Sequence, residues 1–339
     1  MQSGVIPVGI LTAQQVRSVL LAATAAPSLR NSQPWRFHCT SSSIELHADP
    51  SRAVWAADPD HRELLLSCGA ALMNLRLAIR AQGVHPEVRV LPSPHQPDLL
   101  AVVRPQTRRA VTPTDRTLAN AIPRRRTNRK PFDPVPIPAS VRSELRRSAE
   151  IERAWLAILT RTQLPVMRAV VHRAHLAQQA DPAFAQEWAA WTGRDPHTPD
   201  GIPRRNSGPR PEPQDEWVLR DVSAGDSAPR ATGHDVESDP LIVVVGSFQD
   251  LPASRIQAGQ AMERVLLTAT TAGFSASFLS QVLEVPETRK ELRELLGGGL
   301  WPQTVLRLGC GSPAPATPRR TIQDVVTRDM LGTNAGQSP

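Results

Sequence analysis

Pro27-Ser28-Leu29-Arg30-Asn31-Ser32-Gln33-Pro34-Trp35 is the stretch on which the reading of the fold turns. It follows an apolar helix pattern (Val16, Val19, Leu20, Ala23) and precedes an alternating strand. A proline at each flank fixes φ and blocks helix continuation, so the connection is stiff. Two readings of it stand on the residues alone. Its small polar side chains can cap their own backbone, as in an ordinary helix-to-strand loop. Alternatively Ser28, Asn31 and Gln33 present donors and acceptors on a stiff backbone, which suits a flat heterocycle with polar edges.

Working outward, residues 11–26 read as a helix, and Trp35-Phe37-Cys39 with Ile44-Leu46-Ala48 alternate around a tight turn as a hairpin. Residues 61–83 form a helix apolar nearly all round, therefore buried, with Gly83 as its stop. Short strands follow at 88–90 and 99–103, and residues 104–123 read as a connection. Beyond it come helices at 139–150 and 163–180, strands at 155–159, 241–245 and 304–308, and helices at 259–273 and 286–297. The segment 181–238 is rich in proline, glycine and charge, yet holds Trp188, Trp191 and Trp217; tryptophans favour a lid that packs on something.

Residues 69–83 and 259–273 both run from glycine to glycine through an apolar helix, and each is followed by a section ending in an apolar strand. Duplication accounts for this and for the length of 339 residues, long for one domain.

The net charge of +7 is carried almost wholly by arginine, since Lys130 and Lys290 are the lysines. Guanidinium forks suit phosphate oxygens. With 4% aromatic residues and the charge spread along the chain, a base-stacking nucleic-acid surface is not expected. Neither a membrane span nor a signal peptide is expected. Cys39, Cys68 and Cys310 are too scattered for a disulfide framework, which points to a reducing, cytoplasmic setting. His172 and His175 lie at i and i+3 without a third ligand at recognisable spacing, so no metal is expected.

Arg124-Arg125-Arg126-Thr127-Asn128-Arg129-Lys130-Pro131-Phe132 is the second polar concentration: either a solvated basic linker or a compact anion clamp. Together the two stretches resemble a known family. Pro27, Ser28, Asn31, Gln33, Pro34 and Trp35 resemble the flavin-binding PSxxNxQPW loop of nitroreductase-like proteins, and 125–129 with Phe132 resembles their phosphate-binding RRSxR element. Ordinary members carry the two in the opposite order. The whole chain resembles the Acg-type branch, with further matches at 188–192, 200–203, 278–281 with Glu284, and 302–309. Ser280 stands where that family often has asparagine, Cys310 replaces an aromatic residue, and Pro131 is inserted before Phe132.

The resemblance implies an α+β, nitroreductase-like fold: two tandem halves, 1–115 and 116–339, forming a monomeric pseudo-dimer with a lid insertion at 181–238 in the second half. It implies one site for flavin mononucleotide (FMN), with Arg125, Arg126, Thr127 and Arg129 on phosphate and ribityl oxygens and Arg319 or Arg320 joining them. Pro27, Ser28 and Asn31 would contact the isoalloxazine, with Leu279, Ser280 and Gln281 near its pyrimidine edge. No catalytic side chain is implied. The function expected is an NAD(P)H-dependent reduction of nitro compounds or quinones; the alternative is sequestration of FMN beneath the lid.

Overall fold

The computed structural model describes residues 5–212, 215–217, 220–223 and 240–327, so the lid stretch drawn at 181–238 lies partly outside the described residues. Helix α1 (Ala13–Thr24) begins at a capping box: Thr12 Oγ accepts from the Gln15 N–H while the Gln15 side chain accepts from the Thr12 N–H. Strands β1 (Trp35–Cys39) and β2 (Ile44–Ala48) form the expected hairpin. Helix α2 (Arg62–Ala81) leads to β3 (Val84–Val90) and β4 (Leu99–Arg108). The expected connection at 104–123 is instead the end of β4 and a helix, α3 (Pro113–Ala121); Thr112 caps the Asp115 N–H and Pro113 occupies the first turn. The boundary drawn at 115/116 falls inside this helix.

The chain continues through α4 (Ala139–Ile151), β5 (Trp155–Ile158), α5 (Leu164–Gln179) and α6 (Pro182–Trp191). Then come β6 (Leu241–Ser247), α7 (Pro252–Thr271), β7 (Ser275–Phe278), α8 (Gln281–Glu284), α9 (Pro286–Leu295) and β8 (Trp301–Gly309). The tail ends in α10 (Ile322–Val325) and β9 (Val326–Thr327). The start of the stretch 181–238, expected to be a lid, is thus a helix, and α7 begins at Pro252, well ahead of residue 259.

Two sheets result, with strand orders β3-β4-β2-β1-β9 and β5-β6-β8-β7. Read from β3 and from β7, the two orders repeat one connectivity, and every pairing is antiparallel except that β9 joins β1 in parallel. Between the sheets, α2 and α7 pack along each other, with α1 against α2 and α4 against α7. One buried apolar cluster runs through both sheets and both long helices, from Phe37 and Leu46 through Leu72 and Val265 to Leu306. Although α2 is long and apolar enough by composition to cross a membrane, it lies in this core.

At the α2–α7 crossing a Cβ on Gly69 would collide with the Ile256 carbonyl, and one on Gly259 with the Leu66 carbonyl. The contact is reciprocal, because Leu66 to Gly69 and Ile256 to Gly259 are the same step on the two helices. Both helices also end alike, at Gly83 and Gly273, whose φ values of 72° and 83° favour a residue without Cβ.

Candidate functional site

The stretch 27–35 is strained as well as capped. Arg30, Asn31 and Gln33 hold positive φ values of 49°, 56° and 54°, a costly backbone state for non-glycine residues that concentrates at functional sites. Ser28 Oγ accepts from the Gln33 N–H at 2.9 Å, so the self-capping reading holds in part. The remaining polar groups reach distant segments. Asn31 Nδ2 donates to the carbonyls of Gly201 (3.0 Å) and Pro318 (3.1 Å), and Gln33 Nε2 donates to the Pro199 carbonyl (2.8 Å). Arg30, buried, pairs with Glu187 at 2.8 Å and stacks on Phe184 and Trp188.

The basic strip runs beside β7. Thr127 bridges Ala276, and the Asn128 N–H donates to the Ala276 carbonyl at 2.8 Å. Asn128 Nδ2 also holds the tail at the Ser312 carbonyl. Pinned in this way, the strip and the 27–31 loop face one cavity of about 310 Å³, within the range of small-molecule sites. Pro27, Ser28, Asn31, Arg125, Arg126, Thr127, Arg129, Leu279, Ser280, Gln281 and Arg319 all line it.

Arg320 does not line it. Its N–H and guanidinium turn to Gln33, its Nη1 lies 3.8 Å from Asp49, and it reaches the Asp324 carbonyl. Of the two tail arginines, Arg319 faces the cavity. Its donors are engaged by the carbonyls of Thr24, Ala25 and Ala26, at 3.0, 3.2 and 3.1 Å, and by Asn31 Oδ1 at 3.0 Å. A cation on the last carbonyls of α1 is favourable, and it fixes where the loop leaves that helix.

Arginines that the sequence reading did not single out complete the wall. Arg307, buried on β8, lines the cavity, stacks on Phe132 and donates to the Lys130 carbonyl at 3.1 Å. Arg220 donates to Glu284 and Gln178, each at 2.7 Å, and to Ser280 at 3.2 Å, holding its segment against α5 and α8. Trp188, Ile202, Ser207, Trp217 and Val222 from the described part of the stretch 181–238 also line the cavity.

The electrostatics are lopsided. Arg129 is half-buried and lines the cavity. Its guanidinium donates to the Asn206 carbonyl at 2.9 Å, and no carboxylate pairs with it among the described residues. Burial lowers its pKa to about 10, and burial with the neighbouring charge of Arg125 lowers that of Arg319 to about 9. Arg125 lies 3.6 Å from Glu263, and its Nη1 has no hydrogen-bond partner among the described residues. Buried cations so placed offer charge to an anionic ligand. Glu63, which also lines the cavity, pairs with Arg62 at 2.7 Å, yet burial pushes its pKa up to about 7. Burial likewise pushes Glu263 up to about 7, against the pull of Arg125.

With this geometry in view, the comparisons bear on the family. "Putative NAD(P)H nitroreductase Rv3131" of Mycobacterium tuberculosis (strain H37Rv) is 33% identical over 321 residues, covering 93% of this chain and 91% of the relative. "Putative NAD(P)H nitroreductase acg" of the same strain is 32% identical over 326 residues, covering 94% and 97%. The chain belongs to the Acg-type family of nitroreductase-like proteins. The fold agrees: the crystal structure of "a putative nitroreductase" from Anabaena variabilis ATCC 29413 superposes with a TM-score of 0.52 at 10% identity, covering 88% of each chain. No family model matches the chain. The two stretches that resemble the family's motifs line one cavity despite their separation in sequence.

Proposed function

We propose that the protein binds one FMN in this cavity and acts as an NAD(P)H-dependent oxidoreductase of the nitroreductase kind, reducing nitro compounds or quinones. The observation that carries the reading is that 27–31 and Arg125, Arg126, Thr127 and Arg129, far apart in sequence, line one cavity in which no carboxylate pairs with Arg129 among the described residues. Arg125, Arg126, Thr127 and Arg129 would hold the phosphate and ribityl oxygens. Pro27, Ser28 and Asn31 would border the isoalloxazine, with Leu279, Ser280 and Gln281 near its pyrimidine edge. Arg319 would act chiefly by holding Asn31 and the end of α1. When bound, the flavin supplies the hydride and electron chemistry, and the protein supplies orientation and electrostatics.

The two halves on either side of α3 would be tandem copies forming a monomeric pseudo-dimer. The repeated strand order and the reciprocal glycine contact support this. Only one site would be complete. Between α1 and β1 lies the segment 25–34, whereas α4 and β5 are joined by 152–154 alone. There Glu152 pairs instead with Arg76 (2.7 Å) and Arg264 (3.3 Å). The three free thiols suit a reducing cytoplasm.

A second reading is sequestration, in which the stretch 181–238 covers the flavin. The wall formed by Trp188, Ile202 and Trp217, with Arg220 fastened to Glu284, favours it. Mixing the flavin-loaded protein with NADPH or NADH separates the two. Rapid bleaching supports the oxidoreductase and excludes sequestration; a chromophore that resists NAD(P)H but yields to dithionite does the reverse. A protein that stays colourless with added FMN sinks both.

A further inference from the structure

Outside the cavity, the β1–β2 hairpin gathers three metal-ligating side chains on one face. His38 is registered directly opposite Glu45, and His47 follows two residues later on the same strand. Strand alternation sends Trp35, Phe37, Cys39, Ile44 and Leu46 into the core and leaves these three on the outer face. None of them lines the cavity.

We propose that His38, Glu45 and His47 form a binding site for a divalent transition metal of the zinc class. His38 Nδ1 and His47 Nε2 each lie 3.1 Å from the same oxygen, Glu45 Oε2, and the three ligand atoms all lie within 4.8 Å of one another. Metal–ligand bonds of about 2.0–2.1 Å in a tetrahedron give edges of about 3.3 Å. Two of the three edges already stand near that length. The third closes by small side-chain rotations, with no change in strand register.

The side chains are neither deeply buried nor freely solvated, at 20%, 23% and 31% exposure for His38, Glu45 and His47. Their rotamers are therefore restrained, and a water would supply the fourth ligand of a four-coordinate zinc. Two imidazole nitrogens and one carboxylate oxygen suit Zn²⁺, Co²⁺ or Ni²⁺ over the hard cations Mg²⁺ and Ca²⁺. Among the described residues, the cation in register on the hairpin, Arg36 opposite His47, is neutralised by its two hydrogen bonds to Asp49, at 2.8 and 3.1 Å. A bound metal would tie β1 to β2 just past the 27–35 loop. The histidine pair at 172 and 175, considered from the sequence, is no part of this group.

The test is a zinc titration of the full-length, chelator-stripped protein, read by competition with a chromophoric chelator and by the shift in melting temperature. One Zn²⁺ per chain is expected, with micromolar affinity and a rise in melting temperature. In His38→Gln/His47→Gln, which keeps hydrogen-bonding groups beside Glu45, that binding weakens at least tenfold and the thermal shift disappears. Glu45→Gln, a single change, serves as the second variant and gives the same direction. His172→Ala/His175→Ala binds as the parent does. The proposal fails if the parent takes up no Zn²⁺, or if its affinity and stoichiometry survive in the His38/His47 variant.

Discussion

Replacing Arg129 by glutamine should strengthen the flavin-free protein and cripple the flavin-bound one. The drop of its pKa from the ordinary guanidinium value to about 10 corresponds to about 3 kcal/mol of unfavourable charge burial. That cost is present at every pH below about 10, where the folded protein keeps the guanidinium charged. One hydrogen bond, to the Asn206 carbonyl, offsets roughly 1 kcal/mol of it. A neutral side chain that loses that bond should still leave the flavin-free protein about 1–2 kcal/mol more stable in urea unfolding. A charge-assisted hydrogen bond to phosphate is worth about 1.5–3 kcal/mol, so FMN affinity should fall by roughly 10- to 150-fold. Quenching of flavin fluorescence measures that affinity directly. A variant that binds FMN as the parent does, or whose flavin-free form is clearly destabilised, would refute the reasoning.

Other outcomes follow from the same structure. Glu63 and Glu263, both raised from 4.5 to about 7, hold more protons folded than unfolded between those values. Stability of the flavin-free protein should therefore fall as pH rises from about 4.5 to 7 and then level off; Glu263→Gln should flatten that slope, as urea midpoints across pH 5–8 would reveal. Arg220→Ala leaves the buried Glu284 carboxylate without its 2.7 Å partner, a loss of about 3–5 kcal/mol; a melting temperature equal to the parent's would count against the fastening role. Gly69→Ala and Gly259→Ala should each destabilise by more than about 1–3 kcal/mol, and by similar amounts, because each Cβ strikes the opposite helix backbone. Markedly unequal losses in calorimetry would argue against equivalent halves.

What the sequence disclosed depended on whether a feature was local. The hairpin at β1 and β2, the all-apolar α2 and the valine run of β6 were readable because each repeats a periodicity within itself. The helix α3 has a readable start, Thr112 followed by Pro113, but the prolines and charge around it make the segment read as a connection. By contrast β7 is four residues, three of them small, and β9 is two residues that exist as a strand because β1 pairs with them. The cavity's outline was legible through the family motifs, which named eleven residues that line it and one, Arg320, that turns away. Arg307 was hidden because β8 is buried on both faces, so no alternation marks its role. Arg220 and Arg30 act through partners far along the chain, Glu284 and Glu187, and local pattern carries no trace of such pairs. His38, Glu45 and His47 converge only once the hairpin register is known.

The most direct measurement is the stoichiometry of FMN bound by the flavin-free full-length chain, taken beside Asn31→Ala and Arg126→Ala. One flavin per chain is the predicted result, with affinity lost in both variants although the residues lie on opposite sides of α3. Two flavins per chain, none, or undiminished binding in either variant would contradict a single site built from both halves.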